Sequence, residues 1–236
     1  MEITKILNYL KDIAANNNRD WYQAHKAEYQ AVRASYEKGI EQAIEAISAF
    51  DPTISHLKAK DCCFRFNRDT RFSPDKSPYK RHFGAYISAK GKKSLHAGYY
   101  IHVEPGKCLI AAGAYWLPTN ILTAMRNEIM GNIDTWRQCV ENGQFVKSFG
   151  YPNESEWTEE TVAPKGFGIT HLKKAPKDFP ADYEFIQYLR MKDYCVWQRV
   201  DDQFFEGDGW LTSMTKIFKV AKPMMDFTNG VIDDYE

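Results

Sequence analysis

A chain of 236 residues with 44% hydrophobic and 14% aromatic residues can bury its own core, which excludes intrinsic disorder. Its 31 basic and 31 acidic residues cancel, so the chain as a whole is no generic polyanion binder. No stretch approaches the roughly 18 apolar residues of a membrane span, and Glu2, Lys5, Lys11 and Asp12 at helical spacing are unlike an export signal. Five cysteines without paired spacing, Cys62 and Cys63 adjacent, point to reduced thiols and a cytoplasmic location.

Ile3, Ile6, Leu7, Leu10 and Ile13 recur at three- and four-residue steps and predict a short amphipathic helix. The Asn16-Asn17-Asn18 run reads as a loop and cap. Trp21, Tyr29, Val32, Tyr36, Ile40, Ile44 and Ile47 then mark one long helix, which Asp51-Pro52 ends. From Phe64 the period becomes two. Phe64/Phe66, Phe83/Ala85/Ile87, Tyr99/Ile101/Val103 and Cys108/Ile110/Ala112/Ala114 predict strands with one apolar face. Pro105-Gly106 reads as a two-residue hairpin turn that pairs His102 with Leu109, Glu104 with Lys107 and Gly98 with Gly113. Two facing glycines would leave room above the sheet beside Tyr100 and Tyr115. Pro118 to Ile129 is helical again, and residues 150–181 read as a long loop region. A short helix at Tyr183–Leu189, a strand at Tyr194–Val200 and a helix from Leu211 to Ala221, ending near Pro223, complete the chain. The expected fold is α+β: a single domain over 1–236 with a central, mainly antiparallel sheet packed by N-terminal and C-terminal helices. Residues 1–50 would be helical, 60–117 the sheet-rich core, and 118–236 helices and loops.

Charge is unevenly placed. Lys58–Lys107 holds twelve Lys/Arg and four Asp/Glu, whereas the chain from Asp193 onward holds four and nine. Within the basic stretch Arg65, Arg68 and Arg71 stand three apart where a strand gives way to a loop, with Lys76 and Lys80 beyond them. Guanidinium forks that converge make a site for phosphate or carboxylate. Asp69 would orient one of the forks, and Pro74 and Pro78 would stiffen the loop. The plainer alternative makes Arg68–Asp69 and Asp75–Lys76 ordinary loop pairs.

Strand alternation puts Tyr100, His102 and Glu104 on one face, a set suited to acid–base chemistry. It also suits a hydrogen-bonded strand histidine and a Glu104–Lys107 pair. Tyr79, Tyr100, Tyr115 and Trp116 are the candidate pocket-lining aromatics. His82, His96 and His102 with Glu104 could supply metal ligands, but HExxH and paired CxxC are missing and no metal site is expected. His102-Val103-Glu104 lacks the downstream P-C-x-x-C of a zinc deaminase. No dinucleotide, phosphate-loop or nucleophile-elbow motif is complete, so neither a cofactor nor an oligomeric state is specified.

The block from Arg65 through Asn67-Arg68-Asp69-Thr70-Arg71-Phe72-Ser73-Pro74-Asp75-Lys76-Ser77-Pro78-Tyr79-Lys80 resembles the long motif of an uncharacterised family, Domain of Unknown Function 2461. Asn17-Asn18-Arg19-Asp20-Trp21-Tyr22, Gly98 to Pro105, Trp116-Leu117-Pro118 and Leu172 to Phe179 are similar to its other motifs, with Asp178 where a glycine is usual. The resemblance implies a soluble α+β domain and carries no established activity or cofactor. The leading expectation is therefore a cytoplasmic small-anion-binding domain or enzyme. Arg65, Arg68, Arg71, Lys76 and Lys80 would hold the anion, and His102, Glu104 and Asp69 would supply any chemistry. A nucleic-acid-binding module using residues 58–107, with aromatics among the basic residues, is the alternative, and a structural or interaction domain the third.

Overall fold

The computed structural model describes residues 1–152 and 163–235. In chain order its elements are α1 (Ile3–Ala15), α2 (Arg19–Ala24), α3 (Lys26–Ser48), α4 (Ala59–Cys62), β1 (Phe83–Ile87), β2 (Gly98–Val103) and β3 (Leu109–Ala114). There follow α5 (Thr119–Gly131), α6 (Ile133–Val140), α7 (Gly143–Phe149), β4 (Lys165–Phe167), α8 (Ile186–Leu189), β5 (Tyr194–Arg199) and α9 (Gly209–Asp233). The fold is α+β, with an antiparallel sheet in the order β1-β2-β3-β5-β4. β4 pairs β5 with Lys165 opposite Gln198 and Phe167 opposite Val196. No helix among the described residues is long and apolar enough to cross a membrane, and the five cysteines are free thiols.

Packing groups the chain into two compact units built from interleaved segments. The first comprises Met1–Lys92, Tyr100–Ile110 and Val200–Thr215; the second comprises Lys93–Tyr99, Ala111–Arg199 and Lys216–Glu236. In the first, α1 buries Ile6, Leu10 and Ile13, and α3 buries Tyr36, Ile40, Ala43 and Ile47. The Tyr36 hydroxyl donates to the Ile101 carbonyl of β2, 3.2 Å away, so a buried phenol keeps a partner. Between the helices and β1 lie the stacked rings of Tyr29 and Phe66 at 4.9 Å, and of Tyr22 and Tyr79 at 4.3 Å. In the second unit Trp136 packs edge-on to Tyr188 and Tyr194. Buried Arg126 donates to the carbonyls of Leu189 and Met191 at the end of α8.

Several boundaries differ from the sequence expectation. The long second helix breaks at His25, whose ring stacks on Trp21 at 3.9 Å while its Nδ1 lies 2.8 Å from the Trp21 carbonyl. Asn18 caps α2 by accepting from the Trp21 N–H. The stretch at Phe64–Phe66 is not a regular strand. It is held by single bridges, Cys63 to Ala85 of β1 and Asn67 to Tyr79 ahead of that strand. The helices α6 and α7 and the three-residue β4 were not expected; residues 153–162 of the predicted 150–181 loop lie outside the described residues. Pro223 does not end α9, because Met224, Met225, Thr228, Val231 and Ile232 continue a buried stripe beyond it. That burial offsets the roughly 3 kcal/mol a helix-interior proline costs. The Pro105-Gly106 turn forms as read: the Lys107 N–H donates to the Glu104 carbonyl and Gly106 takes φ +69°. The space expected at Gly113 does not exist, because a Cβ there would collide with the backbone of Tyr194 on β5.

Asp178, in the position where the resembling motif carries glycine, adopts φ +70°. The left-handed turn is thus kept without glycine, at a conformational cost that Asp bears better than most residues. Replacing it with glycine (D178G) is expected to raise the urea midpoint slightly, and D178V to lower stability by about 1–2 kcal/mol. Equal midpoints for the two variants would contradict a left-handed turn at this position.

Candidate functional site

On β2 the odd-numbered Tyr99, Ile101 and Val103 are at most 1% exposed, which turns Tyr100, His102 and Glu104 to the opposite face. On the neighbouring β1, Phe83, Ala85 and Ile87 are buried in the same way. His82 and Gly84 therefore share the face of the β2 trio. His82, Gly84, Tyr100, His102 and Glu104 all belong to the first unit.

The polar groups on this face form a short chain. Tyr100 Oη lies 2.8 Å from His102 Nδ1, and His102 Nε2 lies 3.0 Å from Glu104 Oε2. Gly84 permits this, since a Cβ there would meet the Tyr100 hydroxyl at 2.8 Å. Burial, with Glu104 nearby, raises the Tyr100 pKa, so it remains a phenol. Burial alone would raise the Glu104 carboxyl. The His102 hydrogen bond and charge, with His82 and Lys107 beyond, outweigh it and hold the carboxyl below its usual range. Both imidazole nitrogens of His102 are thus engaged, so the general-base role expected of it would require one contact to open.

His82 stacks on His102 with ring centroids 4.4 Å apart, and its Nδ1 stands 3.9 Å from Glu104 Oε2. That separation is too long for a hydrogen bond. Burial first, then the neighbouring His102, holds the His82 imidazole down to about 3, with Glu104 acting the other way. It is a neutral base with a free lone pair at pH 7. Ligand atoms of His82, His102 and Glu104 all fall within 4.8 Å of one another. Of the histidines read as possible ligands, His96 lies elsewhere: in the second unit it bridges Ser94 and Asp233.

The arginines do not converge. Arg68 donates to Asp75 at 2.5 Å, to the Ser77 carbonyl at 3.2 Å and to Ser73 Oγ at 3.3 Å. Arg71 makes a two-pronged contact with Asp69 at 3.0 and 2.7 Å and is 77% exposed. Lys76 donates to the Thr70 carbonyl. Asp69 and Asp75 also accept from the backbone N–H groups of Arg71 and Ser77, two residues on. These local turns neutralise Arg68 and Arg71 before they can share a ligand.

Lys76 meets only the Thr70 carbonyl, and two further cations are tied to neither acid by an ion pair. Arg65 is exposed and makes no ion pair among the described residues, although its charge helps to hold the Asp69 carboxyl down. Lys80 is half-buried, with its ammonium 5.3 Å from the Phe64 ring centroid and no carboxylate on it. Burial, then repulsion from Arg65 and Arg33, lowers the Lys80 ammonium below its ordinary value. Of the expected pocket aromatics, Tyr79 is buried in the ring stack, while Tyr115 and Trp116 are 56% and 77% exposed in the second unit. Trp116 takes a left-handed φ of 62°. The sequence reading grouped His82 with His102, His96 and Glu104 only as possible ligands and did not foresee that His82 stacks on His102; the parity of residues 82, 84, 100 and 102 was the available signal.

A family model described as "Conserved hypothetical protein (DUF2461)" matches residues 5–227. No curated protein and no solved structure matches the chain.

Because Arg68 tethers the loop at three points and Arg71 only at its exposed edge, their removal should differ. Arg68→Ala is expected to lower the melting temperature of ligand-free protein by about 2–4 °C, and Arg71→Ala to leave it unchanged. Circular-dichroism melts of the two variants decide this, and an inverted order would refute the tethering role.

Proposed function

The chain belongs to the DUF2461 family, and within it we propose that this protein is a binding domain for a small phosphate- or carboxylate-bearing ligand. Lys80 and Arg65 hold the anion against the face that carries His82, His102 and Glu104. The observation that carries this reading is the half-buried Lys80 ammonium with no carboxylate on it, near the exposed Arg65 guanidinium, which repels it. Partial burial of a cation without a counter-ion carries a desolvation cost, and an anionic ligand offsets it. Arg68, Arg71 and Lys76, engaged with their own loop, then serve to shape the segment rather than to bind.

A thermal-shift screen in EDTA with inorganic phosphate, pyrophosphate, nucleoside monophosphates and dicarboxylates tests it. A ligand at 100 times its dissociation constant stabilises by about 2.7 kcal/mol, or roughly 5–10 °C for a chain of this size. Lys80→Met and Arg65→Gln should abolish the shift while Arg68→Ala retains it. A shift that survives both of the first two substitutions overturns the assignment.

One observation favours a second reading. Phe72 is 93% exposed on the basic loop, with the Arg71 guanidinium 5.8 Å from its ring centroid, an arrangement suited to stacking on a single-stranded base. It predicts low-salt retardation of a single-stranded oligonucleotide in gels that Phe72→Ala removes. An oligonucleotide migrating freely at low salt rejects it.

A further inference from the structure

We propose that His82, His102 and Glu104 form a binding site for one divalent transition-metal ion of the zinc class. The inference goes beyond anion binding and does not depend on it. His82 stands 3.9 Å from the Glu104 carboxylate and His102 3.0 Å, and the three ligand atoms lie within 4.8 Å of one another. Two ligands bound to zinc at 2.0–2.2 Å in a tetrahedron are about 3.4 Å apart. Closing these side chains onto an ion therefore needs movements on the order of an ångström or less, achievable by rotation about side-chain bonds. Two imidazoles and one carboxylate select zinc and its neighbours over magnesium or calcium, which prefer all-oxygen shells.

Three features separate this group from an ordinary hydrogen-bonded cluster. The His82 ring makes no hydrogen bond among the described residues, yet it is held against His102 with only 30% of its side chain exposed. His102 already has the outer partner that metal-binding histidines need. With the ion on Nε2, the imidazole proton resides on Nδ1 and is donated to the Tyr100 oxygen 2.8 Å away. Finally, the ligands sit on or next to rigid strands, with 13–30% of their side chains exposed, which leaves a coordination position open to solvent. One carboxylate cannot neutralise a divalent ion together with Lys80 and Arg65, so the loaded site calls for an anionic ligand. That last step alone rests on the proposed function.

Full-length protein stripped with EDTA and titrated with Zn²⁺ by calorimetry should take up one ion per chain with a dissociation constant in the micromolar range or tighter. The Co²⁺ form should show visible ligand-field absorption. His82→Ala and Glu104→Gln should each weaken binding at least tenfold with unchanged far-UV circular dichroism. Tyr100→Phe should weaken it about 10–100-fold, and His96→Ala should bind like wild type. Absence of stoichiometric uptake, or uptake unaltered in both His82→Ala and Glu104→Gln, overturns the site. Phosphate shifts measured in EDTA and Zn²⁺ uptake measured without phosphate report the two proposals separately.

Discussion

The face of β2 that is buried decides where the chemistry of this protein can lie. Tyr99, Ile101 and Val103 are almost wholly removed from solvent, and each contributes roughly 1.5–3 kcal/mol by its burial. A one-residue slip would expose all three and drive Tyr100, His102 and Glu104 into the core instead. The hydrogen-bonded row on the other face is therefore held in place by apolar residues that never touch it. β1 repeats the constraint with Phe83, Ala85 and Ile87, and Gly84 leaves the gap through which the Tyr100 hydroxyl reaches His102.

Strand parity was legible in the sequence, and so were the amphipathic α1, the Pro105-Gly106 turn and the α+β class. What periodicity does not encode is the register between β1 and β2. Nothing in the loop between them says that His82 will lie over His102 rather than beside Tyr100. Pro223 misled for a related reason: local propensity ends a helix there, and only the tertiary burial of Met224, Met225 and Ile232 keeps it going. In α6 and α7, Ile133, Trp136 and Val140, then Phe145 and Phe149, do recur at helical steps, a signal that the sequence reading passed over; the Asn142 side chain caps α7 by accepting from the Phe145 N–H.

The arginine-rich loop carries a more general lesson about counting charges. Its cations look available because they outnumber the acids, yet each acid is placed to capture one. Asp69 two residues before Arg71 and Asp75 two residues before Ser77 both form turns in which the carboxylate first accepts a backbone N–H and then a side-chain donor. Such pairs stabilise little on the surface, but they are local and need no tertiary partner. Sequence distance does not name the partners, since Arg68 adjoins Asp69 yet pairs with Asp75, and Lys76 adjoins Asp75 yet donates to the Thr70 carbonyl. Arg65 and Lys80 make no ion pair among the described residues.

Lys80 is directed to the sheet by a contact from far away in sequence. The Asn17 side chain donates through Nδ2 to the Tyr79 carbonyl and accepts at Oδ1 from the Tyr79 N–H, both at 3.0 Å. One amide thus satisfies both backbone groups of a residue that sits in the ring stack of Tyr22 and Phe66. The adjoining Lys80 N–H donates to the Phe66 carbonyl, which fixes the next peptide. With residue 79 clamped on its inner side, Lys80 is left half-buried, and a bend at Arg81-His82 leads into β1 with the His82 ring stacked on His102. The Asn-Asn-Arg entry to α2 and the long arginine motif therefore belong to a single device. The first holds the backbone of the second, and just past the clamp Lys80 carries no ion pair, and the side-chain nitrogens of Lys80 and His82 make no hydrogen bond, among the described residues.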